Sequence, residues 1–258
     1  MIFNLNFKKE NFSTKVNFLK EAWQNPENKV FVLSPDEIVT DPRAYYESIF
    51  PLLGSPFALA EDVNLGSRDN QRSGNVWMEV RYDPNHPDAY RHSQNSQPLH
   101  TDGSYISNFP SSTILVCQAN AADGGETTFL DSLDLYRVLK TERSDLLNFF
   151  LRKKILHKRS GDQRNDYLIN VVSDKIIVNY NYYCLHRNVN DSLNKKFEDF
   201  QDFLLTNKLI KKHTTGVKLK PGEAVFWKDD ECLHGRNSFN PTKTSERFIW
   251  KCAIDIFK

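Results

Sequence analysis

The pattern of apolar and polar positions predicts many short β-strands over most of the chain. From Asn75 onward, segments rich in β-branched and aromatic residues alternate with turn residues. These segments are NVWMEVRY, STILVCQA, ETTFLD, KKILH, KIIVNYNYY, GVKLK, EAVFW and RFIWKCAID. Many short strands that close against one another favour a mainly β fold with flanking helices, in the form of a double-stranded β-helix or jelly roll.

Apolar residues at helical spacing indicate helices at three places. The first 60 residues or so contain FSTKVNFLKEAW, the short strand VFVLS, and PRAYYESIFPLLG, which begins with proline and stops at glycine. We therefore expect an N-terminal helical flank, about residues 1–60, beside the sheet. Two helical insertions are expected around SLDLYRVLKTERSDLLNFF and SLNKKFEDFQDFLLTN.

The segment PNHPDAYRHSQNSQP, residues 84–98, has a different character. It is rich in Pro, Asn, His and Gln and lacks apolar periodicity, which is typical of a loop and is compatible with a lid. The rest of the chain contains no repeat, low-complexity tract or Pro/Gly/Ser-rich linker. We therefore expect one domain that covers residues 1–258.

Composition and charge narrow the classes of partner. Hydrophobic residues make up 39% of the 258 residues, and 34 basic and 33 acidic residues give a net charge of +1. This balance does not favour nucleic acid or an anionic membrane as a partner, and it favours a small-molecule substrate. No signal-peptide pattern or membrane-length apolar stretch is visible, so we expect a cytoplasmic location. The four cysteines form no Cys-x-x-Cys pair and are expected to be reduced and mostly buried.

The segment QPLHTDGSY places His100 and Asp102 two residues apart. On an extended chain such residues point to the same face, so one imidazole and one carboxylate are able to bind the same ion. A second imidazole is available at His234, far along the chain. Two histidines and one carboxylate form the facial triad of an oxygen-activating Fe(II) site, whereas zinc usually takes a closed tetrahedral set. We therefore predict that His100, Asp102 and His234 bind Fe(II).

Arg247 follows His234 by 13 residues and starts the next predicted strand. If this strand returns beside the metal, the planar guanidinium is able to bind the carboxylate of a co-substrate acid. Arg236 is the alternative, since it lies nearer to His234 in sequence. We favour Arg247.

Three motifs in order resemble those of the taurine dioxygenase and clavaminate synthase-like group of Fe(II)/2-oxoglutarate-dependent oxygenases. They are QPLHTDGSY, GGETTFLD, and LHGRNSF followed by ERFIWKC, and they cover about Trp77 to Asp255. NVWMEVRYDPNHPDAY is loosely similar to the gamma-butyrobetaine hydroxylase-like branch. The chain departs from the group at Asp229-Asp230, where relatives often have an asparagine before the distal histidine.

The resemblance implies a dioxygenase that uses Fe(II), 2-oxoglutarate and O₂, releases succinate and CO₂, and hydroxylates its substrate. It implies that Arg247 and Thr127 hold the distal carboxylate of 2-oxoglutarate. Thr128 is the alternative to Thr127, since neighbouring residues on a strand face opposite sides. Desaturation, cyclisation and epoxidation use the same cofactors and remain open. A zinc hydrolase and a non-catalytic jelly-roll module are the alternatives from other classes.

The tyrosine-rich end of KIIVNYNYY suggests a substrate pocket. Strand alternation sends Tyr180 and Tyr182 to one face, where aromatic rings are able to attract an ammonium group. The alternative is that these are ordinary core aromatics. With the polar loop before His100, the pattern favours a small polar substrate such as an amino acid or an amine.

Overall fold

The computed structural model describes residues 2–58, 76–87, 89–159, 161–187, 192–243 and 246–257. Four positions of the expected elements therefore lie outside the described residues. They are residues 1, 59 and 60 of the N-terminal flank and Asn75 at the start of a predicted strand. Asp88 of the predicted loop is also outside.

Strands and short helices alternate along the described chain. The strands are β1 (Ile2–Phe7), β2 (Val30–Pro35), β3 (Gly54–Phe57), β4 (Met78–Arg81), β5 (Gln97–His100), β6 (Ser112–Ala119), β7 (Thr127–Asp131), β8 (Lys154–Arg159), β9 (Asp162–Tyr167), β10 (Ile169–Val172), β11 (Lys175–Val178), β12 (Thr215–Val217), β13 (Ala224–Lys228), β14 (Cys232–Arg236) and β15 (Phe248–Ile256). The α-helices are α1 (Phe12–Gln24), α2 (Pro42–Glu47), α3 (Phe50–Leu53), α4 (Ser132–Glu142), α5 (Ser144–Arg152), α6 (Ser192–Thr206) and α7 (Lys208–His213).

Two sheets form the centre of the fold. The larger has the order β1-β2-β13-β6-β15-β3, with β4 also paired to β15, and it is antiparallel except for the β1–β2 pair. The smaller, antiparallel sheet has the order β12-β7-β14-β5. The hairpins β8–β9 and β10–β11 complete the strand set.

Alternation along the strands builds three buried layers. On β13, Ala224 and Phe226 pack with helices α1 to α3 on the outer face of the larger sheet. Val225 and Trp227 point the other way and pack between the two sheets, against residues such as Phe129 of the smaller sheet. Helices α4 to α7 cover the outer face of the smaller sheet. The predicted mainly β fold with flanking helices is therefore confirmed.

Several elements differ from the expectation. The first 57 residues contain the expected helices, but they also contribute β1, β2 and β3 to the larger sheet. Two predicted long helices are each divided, into α2 and α3 and into α4 and α5. The strand predicted over KIIVNYNYY ends at Val178, and a 3-10 turn follows at Tyr182–Cys184. None of the described helices is long and apolar enough to cross a bilayer.

Candidate metal centre

Two neighbouring strands bring the two predicted histidine ligands together. β5 and β14 are antiparallel, His234 lies opposite His100, and their ring centroids are 4.2 Å apart. The pairing is irregular just after His234, where Gly235 allows the strands to approach closely. A Cβ atom at Gly235 would lie 2.6 Å from the carbonyl oxygen of Gln97, so a larger residue would push β5 and its histidine away.

Asp102 completes a set of three donors. One donor atom from each of His100, Asp102 and His234 lies within 4.8 Å of the others. The Asp102 carboxylate is 3.8 Å from His100 Nε2 and 3.7 Å from His234 Nε2. Gly103 follows at a positive φ of 56°, and the Phe109 ring occupies the space where a Cβ would stand. The chain therefore turns sharply just beyond this ligand candidate.

The polar contacts of the two imidazoles fix which nitrogen faces the centre. His100 Nδ1 lies 2.9 Å from the carbonyl oxygen of Pro98, and His234 Nδ1 lies 3.1 Å from Asp229 Oδ1. The Pro98 carbonyl oxygen can only accept, so His100 Nδ1 carries the proton and its Nε2 lone pair faces Asp102. His234 Nδ1 forms no hydrogen bond among the described residues, and its Nε2 also faces Asp102. Burial lowers the pKa of each histidine to about 4. Both rings are therefore neutral and available to a metal at neutral pH.

The carboxylate of Asp102 is held in its charged form. Lys251 Nζ donates to Oδ1 at 2.7 Å, and Thr113 Oγ1 donates to Oδ2 at 3.1 Å. Burial by itself raises the pKa of Asp102, but the charge of Lys251 and the two imidazoles outweigh it and lower the pKa below its usual value. Gln97 Nε2 also lies 3.2 Å from His100 Nε2. Donor groups, one of them the positively charged Lys251, thus face the lone pairs of the Asp102 carboxylate and of His100 Nε2. A set of two nitrogen donors and one oxygen donor fits Fe(II).

A cavity of about 690 Å³ opens on one side of these three residues. Thr127 and Arg247 line it together with the three donors. Thr127 is buried and faces inward, whereas Thr128 points to the other side of β7, where its hydroxyl approaches the Cα of Gly235. Strand alternation thus separates the two candidate threonines as expected.

Arg247 is buried in the wall of this cavity at 3% exposure. Its Nε donates to the carbonyl oxygen of Gly125 at 3.3 Å. Within the described part of the chain, no acidic side chain forms an ion pair with Arg247, and no hydrogen bond is recorded for its two terminal nitrogens. Burial, followed by the nearby charge of Arg236, lowers the pKa of Arg247 to about 9. An anion bound in the cavity would raise the pKa of Arg247 again, and so offset the effects of burial and of the Arg236 charge.

Arg236, the alternative carboxylate-binding residue, has its donors directed elsewhere. Nη1 donates to the carbonyl oxygen of Tyr90 at 2.9 Å, and Nη2 donates to those of Ser93 and Asn95. All three acceptors belong to the predicted loop before β5. Arg236 therefore connects β14 to this loop, and its guanidinium is already engaged by backbone oxygens.

Tyr180, predicted to line a substrate pocket, lies in the hydrophobic core instead. It is fully buried, its hydroxyl donates to Gln201 Oε1 at 2.6 Å, and its ring packs edge-on against Phe200. The prediction was wrong because the strand ends at Val178, so alternation does not extend to the tyrosines.

Tyr182 lines the cavity, but it is less available to an ammonium group than predicted. The Arg187 guanidinium lies over its ring at 4.3 Å, and its hydroxyl donates to Glu198 at 2.5 Å. Tyr183, which alternation assigned to the opposite face, lines the cavity as well.

Two residues in contact with the centre, Lys251 and Asp229, had no role in the sequence-based prediction. Lys251 is four residues after Arg247, an even spacing that sends both to the same face of β15, and both line the cavity. This spacing was the available signal. Asp229 was visible only as a departure from the asparagine of relatives. Burial and the charge of Asp102 raise the pKa of Asp229, while hydrogen bonds from Trp227 and the Asp102 backbone oppose that rise.

A family model described as "Taurine catabolism dioxygenase TauD, TfdA family" matches residues 58–253. The chain belongs to this family. It is therefore a 2-oxoglutarate-dependent non-haem iron dioxygenase, whose cofactors are Fe(II), 2-oxoglutarate and O₂. The predicted enzyme class and cofactors are confirmed. No curated protein sequence matches this TauD/TfdA-family chain.

Three solved structures share the fold of this TauD/TfdA-family protein. The non-haem iron oxygenase OrfP in complex with Fe and alpha-ketoglutaric acid has 15% identity and a TM-score of 0.67, with coverage of 95% of this chain and 80% of OrfP. An asparagine oxygenase in complex with Fe(II), 2S,3S-3-hydroxyasparagine and succinate has 10% identity and a TM-score of 0.65, covering 95% and 79%. PvcB from Pseudomonas aeruginosa has 15% identity and a TM-score of 0.64, covering 93% and 79%.

Proposed function

We propose that His100, Asp102 and His234 bind the iron of this dioxygenase. The observation that carries the proposal is the approach of three donor atoms, from two buried histidines and a half-buried aspartate, to within 4.8 Å at the wall of a 690 Å³ cavity. The neutral imidazoles, the charged carboxylate and the open side toward the cavity are the features that Fe(II) chemistry of this family requires.

We further propose that Arg247 and Thr127 bind the distal carboxylate of 2-oxoglutarate. Support comes from the buried guanidinium of Arg247, which faces the cavity without an acidic partner among the described residues. A planar guanidinium and a hydroxyl are both donors, so together they match a carboxylate, which only accepts. Arg236 is a weaker candidate because three loop carbonyl oxygens already accept from it.

With its cofactors bound, the site converts 2-oxoglutarate and O₂ to succinate and CO₂ and oxidises a substrate C–H bond. The protein's own residues act by position. Lys251 donates to one oxygen of the Asp102 carboxylate and Thr113 to the other, so its charge and direction are set before a metal binds. Arg236 donates to the carbonyl oxygens of Tyr90, Ser93 and Asn95, which fixes this part of the cavity wall.

We propose that the substrate is a small amino acid and that the product is hydroxylated. The described cavity wall contains the basic residues Arg91, Arg159, Arg236, Arg247 and Lys251, but its only acidic residue is Asp102. This balance favours a substrate with a carboxylate over a simple amine. Lys251 is the cation placed next to the proposed metal ligands. OrfP has been solved with (3S)-hydroxy-L-Arg and the asparagine oxygenase with hydroxyasparagine, and these products support the same class.

A substrate screen tests this function. The Fe(II)-loaded protein is supplied with 2-oxoglutarate and single amino acids or amines under nitrogen, and succinate is measured after transfer to air. We expect an amino acid to raise succinate release above the uncoupled background and to gain one oxygen atom by mass spectrometry. Loss of two hydrogens instead would indicate desaturation or cyclisation, and stimulation only by simple amines would reject the carboxylate argument.

Two aspartate variants separate the metal site from the fold. Asp102→Ala should abolish succinate formation, because the site loses its charged donor. Asp123→Ala is the matched control, since Asp123 is an exposed carboxylate that contacts Asn240. Wild-type turnover by Asp102→Ala would exclude Asp102 as a ligand.

A further inference from the structure

The carboxylate of Asp229 contacts both segments that carry the proposed metal ligands. Its Oδ2 accepts from the backbone nitrogen of Asp102 at 2.7 Å. Its Oδ1 accepts from Trp227 Nε1 at 2.7 Å and lies 3.1 Å from His234 Nδ1, which forms no hydrogen bond among the described residues. Asp229 is 3% exposed, so water does not compete for these contacts. One buried group therefore links the end of β5 to β14.

The groups around Asp229 require an acceptor at both of its oxygen positions. The Asp102 backbone N–H and the Trp227 indole N–H are donors and cannot accept. A carboxylate satisfies both sides, since both oxygens accept. An asparagine has one oxygen and one NH₂ group, so in either orientation its NH₂ group would face the Asp102 N–H or the Trp227 N–H. That buried donor would then have no acceptor. An asparagine is therefore a poor substitute for Asp229 in this chain.

The turn that carries Asp229 is itself anchored at several points. Asp229 N donates to the carbonyl oxygen of Ser111 at 2.7 Å, and the oxygen of Asp230 accepts from Val178 N at 2.8 Å. Glu231 is buried and forms ion pairs with Lys29 and, at 2.7 Å, with Lys175. The backbone around Asp229 is thus held from three other segments, so its carboxylate direction is set by the fold and not by a metal.

We propose that Asp229 is a positioning residue: its carboxylate anchors the backbone of Asp102 and the indole of Trp227, whose ring packs against His234 with centroids 4.6 Å apart. Its charge beside His234 Nδ1 favours the tautomer that leaves Nε2 toward Asp102, and an amide at this position does not perform the task. The inference rests on the proposed function, in which His234 and Asp102 bind iron. It adds that the metal site of this chain depends on a carboxylate outside the ligand set. Groups that orient metal-bound histidines typically change metal affinity by about 10- to 100-fold when they are removed.

Metal affinity gives the first test. Co(II), which is stable in air, is titrated calorimetrically into the metal-free full chain. We expect Asp229→Asn to raise the Co(II) dissociation constant by about 10- to 100-fold. Asp230→Asn is the matched control, because it makes the same chemical change one residue away. No contact between the Asp230 carboxylate and either His234 or Asp102 is recorded in the described chain, so its dissociation constant should stay within about threefold of wild type.

The outcomes distinguish this inference from the proposed function. If Asp102→Ala leaves Co(II) binding unchanged, the ligand set itself is wrong. If Asp102→Ala abolishes binding while Asp229→Asn and Asp230→Asn bind equally well, only the role of Asp229 is overturned. Both asparagine variants are checked for cooperative thermal unfolding, so that a general loss of structure is not mistaken for a loss of positioning.

A measurement on the wild-type protein keeps the inference testable even if Asp229→Asn does not fold. In the diamagnetic Zn(II)-loaded protein, ¹⁵N spectra of the histidine rings report which nitrogen carries the proton. We expect His234 to have a protonated Nδ1, because an Asp229 carboxylate oxygen lies 3.1 Å from it, and we expect its hydrogen to exchange slowly with water, because both side chains are buried. Metal coordination through Nδ1, or a rapidly exchanging Nδ1 hydrogen, would overturn the role of Asp229.

Discussion

Replacement of Arg247 by alanine should separate co-substrate binding from folding. The guanidinium is buried at 3% exposure and donates through Nε to Gly125, while its pKa is lowered to about 9. A buried cation without an acidic partner costs free energy of folding, so its removal should leave the metal-free protein about as stable as before. The loss should appear when 2-oxoglutarate binds.

The size of that loss follows from the type of interaction removed. Truncation of one partner of a buried, hydrogen-bonded charge pair costs about 2 to 5 kcal/mol. At about 1.4 kcal/mol per factor of ten, this corresponds to roughly 30- to 4000-fold weaker binding of 2-oxoglutarate. Arg247→Lys keeps the charge but loses the planar fork, so we expect an intermediate loss.

The assay is an anaerobic titration of the Fe(II) complex with 2-oxoglutarate, followed by the charge-transfer band between metal and keto acid. Arg236→Ala is the critical comparison, since it removes a neighbouring buried guanidinium that binds loop carbonyl oxygens. It should disturb the loop of residues 84–98 and change 2-oxoglutarate affinity less than Arg247→Ala. A larger loss in Arg236→Ala, or a change below threefold in Arg247→Ala, would refute the assignment of Arg247.

Three further variants test other parts of the structure. Lys251→Met removes the donor to Asp102 Oδ1, so it should raise the Co(II) dissociation constant by about 10- to 100-fold; an unchanged constant would contradict this role. With the metal site saturated, the variant should also raise the KM for the amino-acid substrate by about 10- to 100-fold, as expected for a lost hydrogen bond to a charged group, and a larger loss of 2-oxoglutarate affinity would assign Lys251 to the co-substrate. Tyr180→Phe should lower the free energy of unfolding, measured in urea, by about 1 to 3 kcal/mol, because the buried Gln201 Oε1 loses its hydrogen-bond donor. A changed KM for the substrate would instead indicate that Tyr180 contacts the substrate. His157 is buried, and burial lowers its pKa in the folded protein to about 4. Between about pH 6.5 and pH 4 the histidine is therefore protonated in the unfolded chain but not in the folded protein. The free energy of unfolding should decrease over this range by up to about 3 kcal/mol. His157→Leu should flatten this decrease relative to wild type and to His186→Leu, and parallel stability curves would contradict the explanation.

The sequence predicted the strands and donors whose pattern is local. His100 and Asp102 are two residues apart, which keeps them close in space, although β5 ends at His100 and Asp102 lies in the turn that follows and not on an extended strand. Thr127 and Thr128 were separated by simple alternation within β7, and the structure agrees on which one faces the cavity. Such predictions succeed because a regular strand repeats every two residues whatever it pairs with.

The rule that side chains alternate between the two faces of a strand failed where β11 ended. Tyr180 was placed by alternation, but β11 ends at Val178. The backbone then turns, and the Tyr180 N–H donates to the side-chain oxygen Thr101 Oγ1 at 2.9 Å instead of to a neighbouring strand. The N-terminal flank shows a related effect. β1 is a short polar and apolar segment that becomes a strand by pairing in parallel with β2, a contact that local sequence does not specify.

The environment of the metal centre depends on register between distant segments, which explains why Lys251 and Asp229 had no predicted role. Lys251 reaches Asp102 only because β15 pairs with β6, where Lys251 lies opposite Leu115, two residues from Thr113. Asp229 reaches it only because the β13–β14 turn closes over the end of β5. A shift of one residue in either strand would send these charges to the opposite face of the sheet. Residue spacing therefore identifies the proposed ligands, while sheet register decides which charged side chains surround them. Changes in those surrounding charges are able to alter the substrate within one family without a change of metal.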